Sequence, residues 1–176
     1  MEGRYFDVLA ANRLAFALSP NLQVGRNRLR AVFGDPAEKA LYPDWELATV
    51  ALVAGFRRSV GSDVDDPGFV QLVGELSLSS DRFRRLWARH DVVSFEGGPA
   101  RLDHPQVGEL TLSREKLAIT GTDGQLLVIY HAEPATSSAE KLALLASLAA
   151  VPVTAATEAR PGHPAGSREQ PGGLAT

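Results

Sequence analysis

The chain has 176 residues, is 44% apolar and carries a formal net charge of -3, which suits one domain with a real core and excludes a disordered chain. A mildly acidic chain does not attract phosphate backbones by itself, so unaided nucleic-acid binding is not expected. The absence of cysteine excludes disulfides, thiolate metal sites and a cysteine nucleophile, and no apolar run approaches the roughly 20 residues of a membrane span.

Residues 4–10 read as a short strand, because Tyr5, Phe6, Val8 and Leu9 suit a pleated, part-buried surface. Asn12 precedes a short apolar helix over 13–18, ended by Ser19-Pro20-Asn21. In the basic stretch with Arg26, Arg28 and Arg30, the residues Leu29, Val32 and Phe33 form one apolar stripe. Asp35-Pro36 opens the next helix, with proline in the first turn. Tyr42-Pro43-Asp44 interrupts it, and Asp44 is placed to cap a long helix over 45–60. There Trp45, Ala48, Leu52, Phe56 and Val60 recur at a helical period. After an acidic turn over 61–66, Asp66-Pro67 starts a helix with Phe69, Leu72, Val73 and Leu76 on one face. Ser79-Ser80-Asp81 caps another, with Phe83, Leu86, Trp87 and His90 on one face and Arg82, Arg85 and Arg89 opposite.

After Asp91 the pattern changes to sheet. A short strand over 92–95 and a Gly-Pro turn over 96–100 precede an alternating strand over 107–113, with Leu110 and Leu112 on one side. Strands over 117–120 and 125–131 flank Gly121-Thr122-Asp123-Gly124, a hairpin signal. The second of them is apolar on both faces, which predicts a central strand covered by helices. The strand over 4–10 has no local partner and must return to this sheet. Ser137-Ser138-Ala139-Glu140 forms a capping box before a helix reaching about Ala150. The expected organisation is one α+β domain over 1–150 and a disordered tail over 151–176.

No catalytic constellation stands out. His90 and Asp91 are neighbours, and neighbours on a helix point about 100° apart. His90 also shares the apolar face, which suits a buried or pocket-lining role. His104-Pro105 reads as a turn. His131 and Glu133 share a strand face, but no third metal ligand accompanies them. A glycine-rich phosphate loop and a Gly-x-Ser-x-Gly elbow are both absent. Neither an enzyme, a cofactor nor a metal is expected. The cluster of Arg82, Arg84, Arg85 and Arg89 reads either as a solvated helix face or, with His90, as a partner for an anionic head group. The helical aromatics either fill a core or arch over a cavity.

Several strings occur together and in order: Asp7-Val8-Leu9-Ala10-Ala11-Asn12, Asn27-Arg28-Leu29-Arg30-Ala31-Val32-Phe33, Leu41-Tyr42-Pro43-Asp44-Trp45, Leu72-Val73-Gly74-Glu75-Leu76-Ser77, and Phe83-Arg84-Arg85-Leu86-Trp87-Ala88-Arg89-His90-Asp91-Val92. Val107-Gly108-Glu109-Leu110 and Tyr130-His131-Ala132-Glu133-Pro134 complete the order. Along roughly residues 3–150 the chain resembles the ligand-binding domain of MmyB-like transcription regulators.

The resemblance implies a PAS-like fold, an antiparallel sheet with helices packed over one face, and a cavity for a fatty-acid-like or other apolar small molecule. PAS-like domains often pair, so a homodimer is expected; the lack of cysteine fits a cytoplasmic chain, and the lack of a long apolar run predicts no membrane contact. In the family a helix-turn-helix half precedes this domain, and only three residues stand ahead of Arg4, so the chain as given is expected to lack that half and to bind no nucleic acid directly. Phe83, Trp87 and His90 would line or border the cavity, Arg85 or Arg89 would neutralise a carboxylate, Trp45 and Phe56 would wall the pocket, and Tyr130 would face it from the sheet. The alternative expectation is a structural or dimerisation module with a filled core, left after loss of the DNA-binding half.

Overall fold

A computed structural model describes residues 1–61, 64–89 and 99–150. The expected strand over 92–95, most of the turn over 96–100, His90 and the tail over 151–176 lie outside the described residues. Within them the chain forms α1 (Arg13–Leu18), α2 (Arg28–Gly34), α3 (Pro36–Ala40), α4 (Trp45–Val60), α5 (Pro67–Ser79), α6 (Asp81–Ala88), β1 (Ala100–His104), β2 (Gly108–Ala118), β3 (Leu126–His131) and α7 (Ser137–Ala150). The three strands make one open antiparallel sheet in the order β1-β2-β3, so the class is α+β as expected.

The helices start where short polar side chains take over the unpaired N–H groups of a first turn. Asn12 accepts from Ala15, Asn27 from Leu29 and Arg30, Asp35 from Ala37, Asp66 from Phe69, and Ser80 from Phe83. Asp44 is an exception: it stands at the start of α4 without a side-chain cap bond, its carboxylate 3.6 Å from Arg101. The expected capping box of α7 is also replaced. Thr136 Oγ accepts from the Ala139 N–H at 3.3 Å, while Ser138 is buried and its hydroxyl accepts from the Thr111 N–H at 2.9 Å, tying α7 to β2.

Residues 4–10 are not a strand. The chain folds back on itself there, with the Gly3 N–H donating to the Asp7 carbonyl at 2.8 Å. Phe6 adopts a φ of 65°, uncommon for a side chain of its size, and its buried ring packs 5.8 Å from that of Phe56. The return to the sheet is made one step earlier, by Glu2. Its N–H donates to the Leu126 carbonyl at 2.8 Å and its carbonyl accepts from the Leu126 N–H at 2.9 Å.

β1 was not expected, because Ala100 and His104 read as turn residues. His104 instead closes β1, buried, with Nε2 2.9 Å from the Ala17 carbonyl. β2 runs without a break through both strands expected over 107–120. It takes the centre, and β3 is an outer strand. Leu127 and Ile129, which make β3 apolar on both faces, point outward and are exposed.

Two apolar clusters result. One is aromatic and helical, built on Phe6, Leu29, Phe56, Phe69, Leu76 and Phe83 with Trp87 against it. The other joins the inner sheet face (Leu102, Leu110, Leu112) to Leu18 of α1 and Leu145 of α7. Cross-strand partners share a face, and the register places Arg114 opposite Tyr130 and Lys116 opposite Val128. The inner face of β2 therefore reads Leu110, Leu112, Arg114, Lys116, changing from leucines to cations toward β3.

Candidate functional site

The cap on Asn27 fixes the first turn of α2 and turns Arg28 inward, where it is only 5% exposed. Its Nη1 donates to Glu2 Oε1 at 2.9 Å and to the Tyr130 hydroxyl at 3.1 Å, and Nη2 reaches the Tyr42 hydroxyl at 3.4 Å. Its Nε is buried without a hydrogen-bond partner. Two residues along the same helix, Arg30 uses the same Nε–Nη2 edge to grip both carboxylate oxygens of Glu75 at 2.8 Å each. That fork matches a carboxylate, and a buried donor left unmatched costs about 1–3 kcal/mol. Arg57 also has an unpaired buried Nε, but its guanidinium lies flat over the Trp87 ring at 4.5 Å and donates to the Trp87 carbonyl.

Arg28 stands in a cluster of charges of both signs. Glu38, buried, accepts from Ser19 Oγ at 2.5 Å, from Asn21 Nδ2 at 3.1 Å and from the Tyr42 hydroxyl at 3.4 Å. Lys116 Nζ lies 3.7 Å from Glu2 Oε2. Arg28, Arg114 and Lys116 thus stand near Glu2 and Glu38, with the Arg101–Asp44 pair at the mouth of the adjoining cavity. The tyrosines respond to that field. Burial alone would raise the Tyr130 phenol, yet Arg28 and Arg114 beside it hold it below its ordinary value. Burial drives Tyr42 far upward against the opposing pull of Arg28. Lys116 is lowered by burial first and then by Arg114 and Arg28, against Glu2.

A cavity of about 230 Å³ opens beside this cluster. Val32 of α2 and Leu47, Ala48, Ala51 and Leu52 of α4 form an apolar wall, and Arg28, Arg114, Arg101, Tyr42 and the carboxylate of Asp44 form a polar end. The short side chains of Ala48 and Ala51 leave the space open. A water-sized recess of about 20 Å³ continues from it past Arg28, Arg114 and Tyr42 to Glu38, Ser19 and Tyr130. A separate groove of about 370 Å³ follows the outer edge of β3, between Val128 and Tyr130 on one side and Ala10, Ala11 and Ala15 on the other.

The cavity thus has an apolar wall and a charged end that includes the buried Arg28 guanidinium. Residues 2–145 match the family model described as the MmyB-like transcription regulator ligand binding domain. The chain belongs to this family. A search of curated proteins finds no match.

In this MmyB-like domain the residues expected at the site separate into two groups. Tyr130 lines the recess and the groove. Trp45, Phe56, Phe83 and Trp87 line none of the three cavities. Phe83 and Trp87 stack at 5.6 Å with 6° between their planes, and Phe56 lies 5.8 Å from Trp87. Trp45 stands behind the cavity wall, its indole N–H donating to the Val32 carbonyl at 3.1 Å. Arg85 and Arg89 are exposed on α6 and at its end. Their neighbours are engaged elsewhere, Arg82 with Glu46 at 2.5 Å and Arg84 with Asp81 at 2.7 Å. His131 Nε2 lies 3.8 Å from Glu115 across the strands, and among the described residues no three metal-ligating side chains converge. No described helix is long and apolar enough to cross a membrane.

Glu2, Arg28, Tyr42 and Arg114 were not anticipated. Two signals could have found Arg28 and Arg114. Arg28 precedes Val32 by four residues and so shares its helix face, and Arg114 continues the inward alternation of Leu110 and Leu112.

Proposed function

We propose that this domain senses a small molecule with an apolar body and an anionic head, a fatty acid being the simplest case, and reports its presence within a transcription regulator. The observation that carries this reading is the buried Arg28 guanidinium, with Nε unpaired, at the polar end of a cavity walled by α2 and α4. The head would meet the Arg28 guanidinium from the cavity side, with Arg114 as second cation. The body would lie along Val32, Ala48, Ala51 and Leu52, where each buried methylene contributes about 0.8 kcal/mol. Trp45 and the ring cluster of Phe56, Phe83 and Trp87 would act from behind, holding the wall in place. Ligand binding would then act on the regulator by shifting the population of two states.

Native mass spectrometry of the purified chain, with solvent extraction of anything bound, tests this reading and reports in the same spectrum whether two copies pair. A stoichiometric acyl adduct, weakened about tenfold or more in Arg114→Ala, is the expected outcome. A bare mass with no uptake of added acyl chains would shift the balance to the filled-core module, which the close packing of Phe56, Phe83 and Trp87 favours.

A further inference from the structure

Glu2 is a carboxylate already seated on the cation that the proposed ligand needs. Its side chain is buried, Oε1 lies 2.9 Å from Arg28 Nη1, and Oε2 lies 3.7 Å from Lys116 Nζ. Its backbone is paired in both directions with Leu126 at the start of β3, at 2.8 and 2.9 Å. The side chain and the bridge therefore hold each other in place.

Resting on the reading above, we infer that Glu2 is a built-in competitor of the ligand's anionic head, so that an anion in the cavity loosens the Glu2–Leu126 bridge. One guanidinium carries one charge. A carboxylate on the cavity side of that guanidinium and another on Nη1 share that charge and repel each other across it. Lys116 and Arg114 soften the repulsion but stand on opposite sides of the contest: Lys116 pairs with Glu2, while Arg114 faces the cavity. Coupling of this kind is reciprocal. If the ligand weakens the hold of Arg28 on Glu2, removing the charge of Glu2 must tighten the ligand by the same factor. The energy involved reaches the backbone directly, because the residue that loses its charge partner is the one whose amide and carbonyl complete the outer edge of β3. A neutral molecule of the same length fills the same cavity without entering the contest.

The test uses the full chain with decanoate and decanol as probes, titrated into wild type and Glu2→Gln. Glutamine keeps an acceptor for Arg28 and removes the charge. Glu2→Gln is expected to bind decanoate about tenfold more tightly than wild type, within the usual span of site-to-site coupling, and to bind decanol unchanged. In wild type, where no substitution can disturb folding, saturating decanoate is expected to speed hydrogen exchange at the Leu126 amide severalfold, and decanol to leave it unchanged. Decanoate binding that is equal or weaker in Glu2→Gln, or a Leu126 amide equally protected by both probes, overturns the inference while leaving the cavity reading intact. Failure of both probes to bind either form removes the cavity reading, and the inference with it.

Discussion

The helix α2 serves two regions that differ in how they are filled. Leu29 enters the aromatic cluster, where Phe6, Phe56 and Phe83 are almost fully buried and ring centroids lie 5.2–5.8 Å apart. Its neighbour Arg28 enters a layer of charges and phenols beside a cavity of about 230 Å³. Large flat rings interlock and leave little room, as expected of a close-packed interior. Small α4 residues facing charged groups leave space, because the charges hold one another at fixed distances and cannot collapse onto alanine. The aromatic region is therefore packed for stability, and under the proposed function the polar region would supply selectivity.

The largest expected effect tests the aromatic side. Phe83→Ala should lower unfolding stability by about 3–5 kcal/mol, read by denaturant melts, with no second substitution nearby restoring it. Arg28→Met should cost about 3 kcal/mol, because it takes the nearer of two cations from the buried Glu2 and leaves only Lys116. Here a second change does help: adding Glu2→Gln should recover a large part of the loss, measured as a non-additive double-mutant cycle. Equal and additive losses in the two regions would erase the distinction between them. Ala51→Phe should cost at most about 1–3 kcal/mol of stability yet weaken decanoate binding at least about tenfold, since it fills the cavity.

The smallest effect is spectroscopic. Tyr130 is held below the ordinary tyrosine value by Arg28 and Arg114 although burial opposes them. A depressed folded-state value means that ionisation favours the native state. Its contribution is therefore present above the unfolded tyrosine value of about 10 and is lost as pH falls through the lower, folded one. Tyr42, raised by burial, works the other way and destabilises the fold as pH rises past the unfolded value. In an absorbance titration of phenolate, one tyrosine should ionise early. Arg114→Ala or bound decanoate should delay it, because each reduces the positive field.

Local chemistry made most helices legible. Asp35-Pro36, Asp66-Pro67 and Ser80 are start signals that act through neighbouring N–H groups, so no distant contact is needed to read them. The sheet was harder. In β1 the charged Arg101 and Asp103 alternate with Leu102 and His104, and the strand is defined by pairing with β2. β3 looked central because Leu127 and Ile129 are apolar, but an outer strand can expose such residues. At the site, the order of motifs identified the family and Tyr130 was correctly assigned to the sheet. The helical aromatics marked the filled cluster instead of the lining of the cavities described. Arg28 was hidden in a basic stretch that resembles an ordinary solvated face, and its burial depends on Glu2, Tyr42 and Tyr130, which are distant in sequence.

The most direct test of the central claim is the ionisation of a bound head group, followed by NMR with carboxyl-labelled decanoate. A carboxylate seated between Arg28 and Arg114 should titrate below the free acid, and Arg114→Ala should move it back upward. A bound resonance that titrates at or above the free acid would contradict the account, because it would place the head group in apolar surroundings away from both cations.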